Sequence, residues 1–216
     1  MSAPLRALLL SAILIVAANA AGQINIVNFD FGAVGVACGY DYAYQGAELA
    51  CNAYGYPTQD FDQSPGFGWI LGGVAARHQA ATSLEGGAGL TGPNTIFYPP
   101  PFDGMPFNQA AFLQDIGSFV WQEVGGFTAG SYTLSFYLGS RYIDCCGYDG
   151  NQTVVALIDG RPIGTWALSS YTPFTLETVT FTVSTGGNHA VEFMGTNPGD
   201  HTAFLSYVVI TPVDPR

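Results

Sequence analysis

The residues that could contact a ligand concentrate in four segments, each of which follows a predicted strand. These segments are residues 114–118, 139–151, 169–173 and 196–201. If successive strands run up and down across a sandwich, their connections alternate between its two ends, and these four segments share one end. The short glycine-rich turns at residues 125–130, 159–161 and 184–188 then share the other end. Binding residues tend to lie on loops gathered at one end of a rigid scaffold. The spacing therefore predicts a site at the end that carries these four segments, of which 139–151 is the longest.

The residue types in these segments suit a sugar. Tyrosine faces stack on the C–H face of a pyranose, while arginine, carboxylates and amides hydrogen-bond with its hydroxyls. The candidate carbohydrate-binding residues are Gln114, Arg141, Tyr142, Tyr148, Asp149, Asp200 and His201. Arg141 has a second interpretation, because it could instead pair with Asp144 or Asp149 and fix the loop. The sequence leaves both interpretations open.

No catalytic residue is predicted. The chain has no Gly-x-Ser-x-Gly nucleophile elbow, and no two of its 16 acidic residues are marked as the facing carboxylates of a glycosidase. The pair Asp200-His201 is interpreted as a cap on the turn into the last strand. No cofactor is predicted either. Acidic loops suit calcium, but no Asp-x-Asp-x-Asp-Gly loop is present, so a structural calcium ion stays open.

The N-terminus has the pattern of a secretion signal, from residue 1 to residue 20. Arg6 precedes an apolar run from Leu8 to Ala18, and Ala18-Asn19-Ala20 supplies a cleavage site. The run is about half the length of a membrane-spanning helix. We therefore expect an extracellular protein with no membrane contact after cleavage.

The charge of the chain excludes two classes of partner. The formal charge is −11, there is no lysine, and removal of Arg6 leaves four arginines against 16 acidic residues, a value of −12. Nucleic acids and anionic lipids would be repelled.

All four cysteines follow the predicted cleavage site: Cys38, Cys51, Cys145 and Cys146. An even number in an exported chain predicts two disulfides. The short loop between Cys38 and Cys51 favours their pairing, which leaves Cys145–Cys146 as a vicinal disulfide. The strain of a vicinal ring favours cross-pairing instead. The spacing does not suit zinc.

Strand patterns dominate the chain after Phe107. Residues 131–138 alternate apolar and polar side chains, as do residues 178–183. Further strands are predicted near residues 24–31, 67–71, 109–113, 119–124, 152–158, 162–168, 174–183, 189–195 and 202–210. Residues 74–84 fit a short helix or a loop. The pattern predicts one all-β domain over residues 21–216, an antiparallel β-sandwich of the jelly-roll type, with a loop-rich part at 21–106 and the main strand meander at 107–212.

Several segments together resemble the galactose-binding-like jelly-roll domains. The resemblance rests on Phe107–Gln114, Gly126–Phe136, Val155–Gly160, Gly195-Thr-Asn and Thr202–Leu205. It is closest to the domain of unknown function shared by plant cell-wall proteins and bacterial exported proteins. This resemblance implies a β-sandwich that associates with polysaccharide, with Gln114 and Arg141 at matching positions. Many bacterial relatives carry a PEP-CTERM sorting tail, and this chain reads Thr211-Pro-Val-Asp-Pro-Arg216 where that tail would begin, so we expect release rather than surface retention.

The sequence thus predicts a secreted, non-catalytic carbohydrate-binding protein whose partner is a polysaccharide or other glycan. A structural or adhesive extracellular matrix protein without a sugar site is the first alternative. A secreted glycoside hydrolase is the second.

Overall fold

A computed structural model describes residues 24–33, 40–42, 68–73, 87–93, 95, 98–142 and 148–214. Three predicted features lie outside these ranges: the signal segment at residues 1–20, the short helix or loop at residues 74–84, and all four cysteines. The disulfide pairing therefore stays a prediction. The strands are β1 Tyr40–Tyr42, β2 Ile70–Gly72, β3 Gly87–Thr91, β4 Ala110–Gln114, β5 Phe119–Phe127, β6 Gly130–Ser140, β7 Thr153–Ile158, β8 Arg161–Ala167, β9 Thr175–Val183, β10 Gly187–Gly195 and β11 Thr202–Pro212. The described residues contain no helix, and hence none that could cross a membrane.

The strands form two antiparallel sheets packed face to face. The six-stranded sheet has the order β1-β3-β4-β11-β6-β9, and the five-stranded sheet has the order β2-β5-β10-β7-β8. From β4 onwards the chain crosses to the other sheet at each connection, except at the β7–β8 hairpin. The predicted all-β sandwich is confirmed, although its strands alternate between sheets and do not pair as a sequential meander.

Alternating side chains of the long strands form the core between the sheets. In β6 the residues Tyr132, Leu134, Phe136 and Leu138 point inward and are at most 3% exposed. The Phe136 ring meets Phe193 of the opposite sheet edge-to-face, with centroids 4.8 Å apart. Burying a side chain of this kind stabilises the fold by about 1.5–3 kcal/mol. The core therefore holds the strand ends, and the loops between them, in fixed positions.

The first third of the chain departs from the prediction at residues 24–31 and at two strands that were not predicted. Residues 24–31 do not form a strand: Ile24 makes one bridge to Ile210, and a turn follows. Asn28 and Asp30 cause this turn, because their side-chain oxygens accept hydrogen bonds from the backbone of Ala33 and Gly32. The missed strands are β1 and β3. The Gly-Ala-Gly-Leu-Thr sequence of β3 has low strand propensity, and this strand is held by complete burial beside β4.

A second apolar cluster covers the outer face of the six-stranded sheet. Phe107, Phe112, Phe174 and Phe204 are its buried rings, and Phe107 meets Phe174 edge-to-face at 5.1 Å. The segment that supplies Phe107 also brings the Tyr98 carbonyl oxygen to within 2.9 Å of the Tyr142 amide nitrogen. This cluster therefore packs the chain against the connections where the site was predicted.

Candidate functional site

Backbone hydrogen bonds tie together the connections that were predicted to share one end of the sandwich. Ser140 N donates to Thr172 O at 2.9 Å, Asp149 N to Asp200 O at 3.1 Å, and Gly117 N to Gly195 O at 2.9 Å. All four connections thus meet, and we call the surface formed by residues 115–118, 141–142, 148–152, 168–174 and 196–201 the site end. All seven candidate residues lie on it or directly beside it.

Asp200 is the centre of a buried polar cluster at the site end. Its Oδ1 atom accepts hydrogen bonds from Gln114 Nε2 and, at 3.0 Å, from Arg141 Nη1. The Arg141 side chain is only 5% exposed and that of Asp200 is 18% exposed. A buried charge of this kind requires a partner. Arg141 therefore fixes the loops, as the second interpretation proposed. Its ion-pair partner among the described residues is Asp200, which is 59 residues away in the chain, and Asp144 lies outside the described ranges.

Asp149 and His201 form a second pair beside this cluster. The two residues make an isolated parallel bridge, and His201 Nδ1 hydrogen-bonds with Asp149 Oδ1. Burial raises the pKa of Asp149, but hydrogen bonds from the Asn151 backbone and from His201 lower it. Their combined effect is larger than that of burial, so the pKa lies below its usual value. The carboxylate thus stays ionised and holds the imidazole ring. With its side chain 28% exposed, His201 can offer its Nε2 atom to a ligand as a hydrogen-bond acceptor.

Tyrosine rings flank these polar pairs. Tyr142 and Tyr171 stack with centroids 5.9 Å apart and an interplanar angle of 28°. Tyr171 is 58% exposed and Tyr148 is 44% exposed. The Arg141 Cζ atom lies 5.9 Å from the centroid of the Tyr148 ring, within cation–π range. Exposed aromatic faces thus adjoin fixed hydrogen-bonding groups.

The sequence placed Tyr171 in this rim but did not include it among the candidate binding residues. Its backbone has φ +68° and its amide donates to the Arg141 carbonyl at 3.0 Å. A positive φ is uncommon for a tyrosine, and such strained residues cluster at functional sites. The sequence gives no signal of this conformation.

Gln152 holds the site-end loops and was missed by the sequence reasoning. It is fully buried, its Oε1 atom accepts from the amides of Thr196 and Asn197, and its Nε2 atom donates to the His201 carbonyl at 2.8 Å. One side chain thus links the β6–β7 and β10–β11 connections. A single buried glutamine has no pattern that marks it in a sequence.

Metal-binding groups are not gathered in the described ranges. No set of three or more histidine, cysteine or acidic residues there could hold an ion. Asp115, Asp149 and Asp200 each accept hydrogen bonds from protein donors. The carboxylates of the site end are therefore engaged in holding its loops together.

The opposite end of the sandwich carries the short turns and a cleft of about 430 Å³ between β8 and β9. His189 lines this cleft, and its Nδ1 and Nε2 atoms lie 2.6 Å from Asp159 Oδ2 and 3.1 Å from Thr185 O. The hydrogen bond to Asp159 raises the pKa of His189; burial opposes this, but the contact with Thr185 adds to it, so the net shift is upward.

Protonated His189 is expected to make folding stability depend on pH. Because its pKa is raised in the folded state above about 6.5, its contribution is complete below that pH and is lost as the pH rises through the folded value. Urea unfolding at pH 6 to pH 9 should therefore show a decline in stability. His189→Gln should remove most of that slope, and Asp159→Asn should reduce it. If the unfolding free energy of His189→Gln declines with pH as steeply as that of the wild type, other titrating groups cause the decline.

The fold and the site end define the class: a two-sheet antiparallel β-sandwich that presents a tyrosine-bearing polar surface at one end. No model of a known protein family and no curated protein sequence matches the chain. Among solved structures, it is similar to the Stig cyclase Fisc from Fischerella sp. TAU in complex with a pyrrolidinylidene-indole. The TM-score is 0.59 at 16% identity, over 89% of this chain and 99% of that chain.

Other solved structures are also similar to this chain. A Fischerella sp. TAU cyclase in complex with 4-(1H-indol-3-yl)butan-2-one gives a TM-score of 0.53 at 19% identity, over 89% of this chain and 98% of that one. The CBM36-1 domain of a multidomain xylanase from the Trinervitermes trinervoides hindgut metagenome gives a TM-score of 0.40 at 20% identity. This match covers 51% of this chain and 83% of that one. The two cyclase similarities describe a shared fold, and function has to be argued from the site.

Proposed function

We propose that this chain is an exported, non-catalytic protein that binds a polysaccharide or other glycan at the site end. The observation that carries the proposal is the placement of exposed tyrosine faces beside hydrogen-bonding groups that the fold holds rigidly. Tyr148 and the Tyr142–Tyr171 stack supply the faces. The N-terminal signal pattern and the resemblance to galactose-binding-like domains support export and the ligand class.

Each part of the site end has a role in this proposal. The tyrosine rings stack on the apolar face of a sugar, while Asp200, Asp149 and His201 accept hydrogen bonds from its hydroxyls. Arg141 acts indirectly, since its buried guanidinium group orients the Asp200 carboxylate. The hydrogen bonds that the Gln152 side chain donates to His201 O and accepts from Asn197 N fix the loops before a ligand arrives, which lowers the entropic cost of binding.

Removal of either exposed ring is expected to weaken glycan binding about tenfold, which corresponds to about 1.4 kcal/mol. A glycan array identifies the ligand, and titration calorimetry compares Tyr148→Ala and Tyr171→Ala with the wild type. Val213→Ala is the control, because Val213 is 42% exposed and lies beyond β11, away from the site end. Failure of every glycan to bind would refute the function, whereas unchanged affinity in both tyrosine variants would refute the site.

Uncharged glycans are expected to bind at least tenfold more tightly than uronate-rich polymers at low salt. The Arg141 charge at the site end is paired with Asp200, and the chain carries a net charge of −11. A polyanion would therefore meet repulsion over about one Debye length, close to 10 Å at 0.1 M salt. Affinity electrophoresis in gels containing each polymer makes the comparison. Equal retardation by neutral and uronate-rich polymers would contradict this expectation.

A catalytic role is the second candidate, and the Asp149–His201 pair favours it. The Asp149 carboxylate holds Nδ1 of His201, which leaves Nε2 to face a ligand. General base catalysis uses this arrangement. The non-catalytic proposal expects a bound glycan to be recovered intact after prolonged incubation. Fragments that form with the wild type but not with His201→Gln would establish the enzyme instead.

A further inference from the structure

The nine-residue strand β9 forms an open edge of the six-stranded sheet. It pairs with β6 along its whole length, from Thr175 opposite Leu138 to Val183 opposite Gly130, without a register shift. On its other side, the backbone groups of residues 175–183 have no hydrogen-bond partner within the described part of the chain. An edge of this kind is a template for pairing with another strand.

The other three edge strands carry features that discourage such pairing. Strands β1 and β2 span three residues each. Strand β8 begins with Arg161 and Pro162 and has a register shift against β7. Short length, charge, proline and irregular register are the means by which natural sheets protect their edges. Strand β9 is nine residues long, pairs in regular register and contains neither proline nor a basic residue; its one charged residue is Glu177.

The single charge of β9 is held away from its outer face. Glu177 Oε2 accepts a hydrogen bond at 2.9 Å from Trp166 Nε1, which belongs to the opposite sheet. The outward side chains of β9 are Leu176, Thr178, Thr180 and Thr182, all exposed and uncharged. In a chain with a net charge of −11, this strand is a place where two copies could approach without local repulsion.

We propose that β9 pairs antiparallel with β9 of a second copy, which joins the two six-stranded sheets. A two-fold axis at Val179 would place Thr178 opposite Thr180 of the partner subunit and Glu177 opposite Phe181 of the partner subunit. Threonine pairs stabilise such contacts, and no like charges meet. An axis at Glu177 would place the Glu177 carboxylates of the two copies opposite each other. Repulsion between these like charges therefore disfavours that register. Closed two-fold dimers are the commonest soluble oligomers.

This dimer would make the protein bivalent. Because the paired β9 strands run in opposite directions, the two site ends lie at opposite ends of the joined sheet. One dimer could then bind two separate polysaccharide chains, a consequence that rests on the proposed function. The pairing itself requires no ligand, so the two proposals can fail independently.

Sedimentation equilibrium of the secreted protein tests the pairing in the absence of any glycan. The wild type should show a concentration-dependent dimer. The double variant Thr178→Lys/Thr180→Lys should dimerise at least tenfold more weakly, because each introduced lysine faces another across the axis. These lysines also lower the net negative charge, so general repulsion cannot explain a loss of the dimer.

Two further samples complete the test. Thr211→Lys/Val213→Lys carries the same charges two strands from the edge and should dimerise like the wild type. An equimolar mixture of Thr178→Lys/Thr180→Lys with Thr178→Glu/Thr180→Glu should regain the dimer, since opposite charges then face each other. The proposal is overturned if the wild type stays monomeric, if the lysine variant dimerises normally, or if the mixture fails to associate.

Discussion

Arg141→Ala is expected to lower the free energy of unfolding by about 3–5 kcal/mol, the usual cost of removing one partner of a buried ion pair. The substitution would leave the Asp200 carboxylate, which is 18% exposed, without its cation. It would also leave a cavity where the guanidinium group lies over the Tyr148 ring. Urea unfolding followed by tryptophan fluorescence measures the loss.

Arg161→Ala is the matched control for this prediction. Arg161 is an exposed arginine at the opposite end of the sandwich, and no ion pair is formed by it within the described ranges. Surface substitutions of this type usually change stability by less than about 0.5 kcal/mol. If the two variants lose the same amount of stability, the account of Arg141 as a buried loop anchor is incorrect.

Gly150→Ala is expected to lower the free energy of unfolding by about 3 kcal/mol, near the upper end of the range for overpacking. A Cβ atom at this position would lie 2.7 Å from both Cβ and Oγ of Ser140 and 2.8 Å from the Arg141 backbone nitrogen. Because the last of these atoms belongs to the backbone directly after β6, the loop that carries Asp149 would have to move. Near-ultraviolet circular dichroism should show altered tyrosine signals as well.

Gly104→Ala separates this steric effect from that of backbone conformation. Gly104 has φ +78° and no atom lies within 4 Å of the added Cβ. Its replacement should cost about 1–2 kcal/mol through conformation alone and leave the tyrosine signals unchanged. Gly150→Ala should exceed this cost, and an equal or smaller loss would contradict the close approach of Gly150 to Ser140 and Arg141.

The sequence predicted the strands well where side chains alternate strictly. Residues 131–138 were predicted as a strand and form most of β6, because Tyr132, Leu134 and Phe136 can be buried only in a period of two. The alternation of connections between the two ends followed from these strands. It brought Gln114, Arg141 and Asp200 together although they are far apart in the chain.

Interactions that depend on distant packing could not be predicted. The pairing of Arg141 with Asp200 depends on how the β10–β11 connection lies against the β6–β7 connection, although Asp149 is nearer to Arg141 in sequence. Strand β3 likewise exists through burial and not through its own propensity. In both cases tertiary contacts outweigh the local pattern.

The position of Arg141 changes how binding experiments should be designed. A sequence-based test would replace Arg141 and interpret weaker glycan binding as a lost contact. Since its side chain is only 5% exposed, such a loss would follow equally from displaced loops. Tyr148 and Tyr171 are the better probes, because both rings are exposed and their removal leaves the Arg141–Asp200 pair in place.

Chemical-shift mapping by NMR during titration with the tightest-binding glycan shows which end of the sandwich binds it. If the site end binds the glycan, the largest shifts fall on Tyr142, Tyr148, Tyr171 and His201, and signals from the cleft between β8 and β9 stay constant. Shifts concentrated on Asp159 and His189 at that cleft, with the site end unperturbed, would contradict binding at the site end.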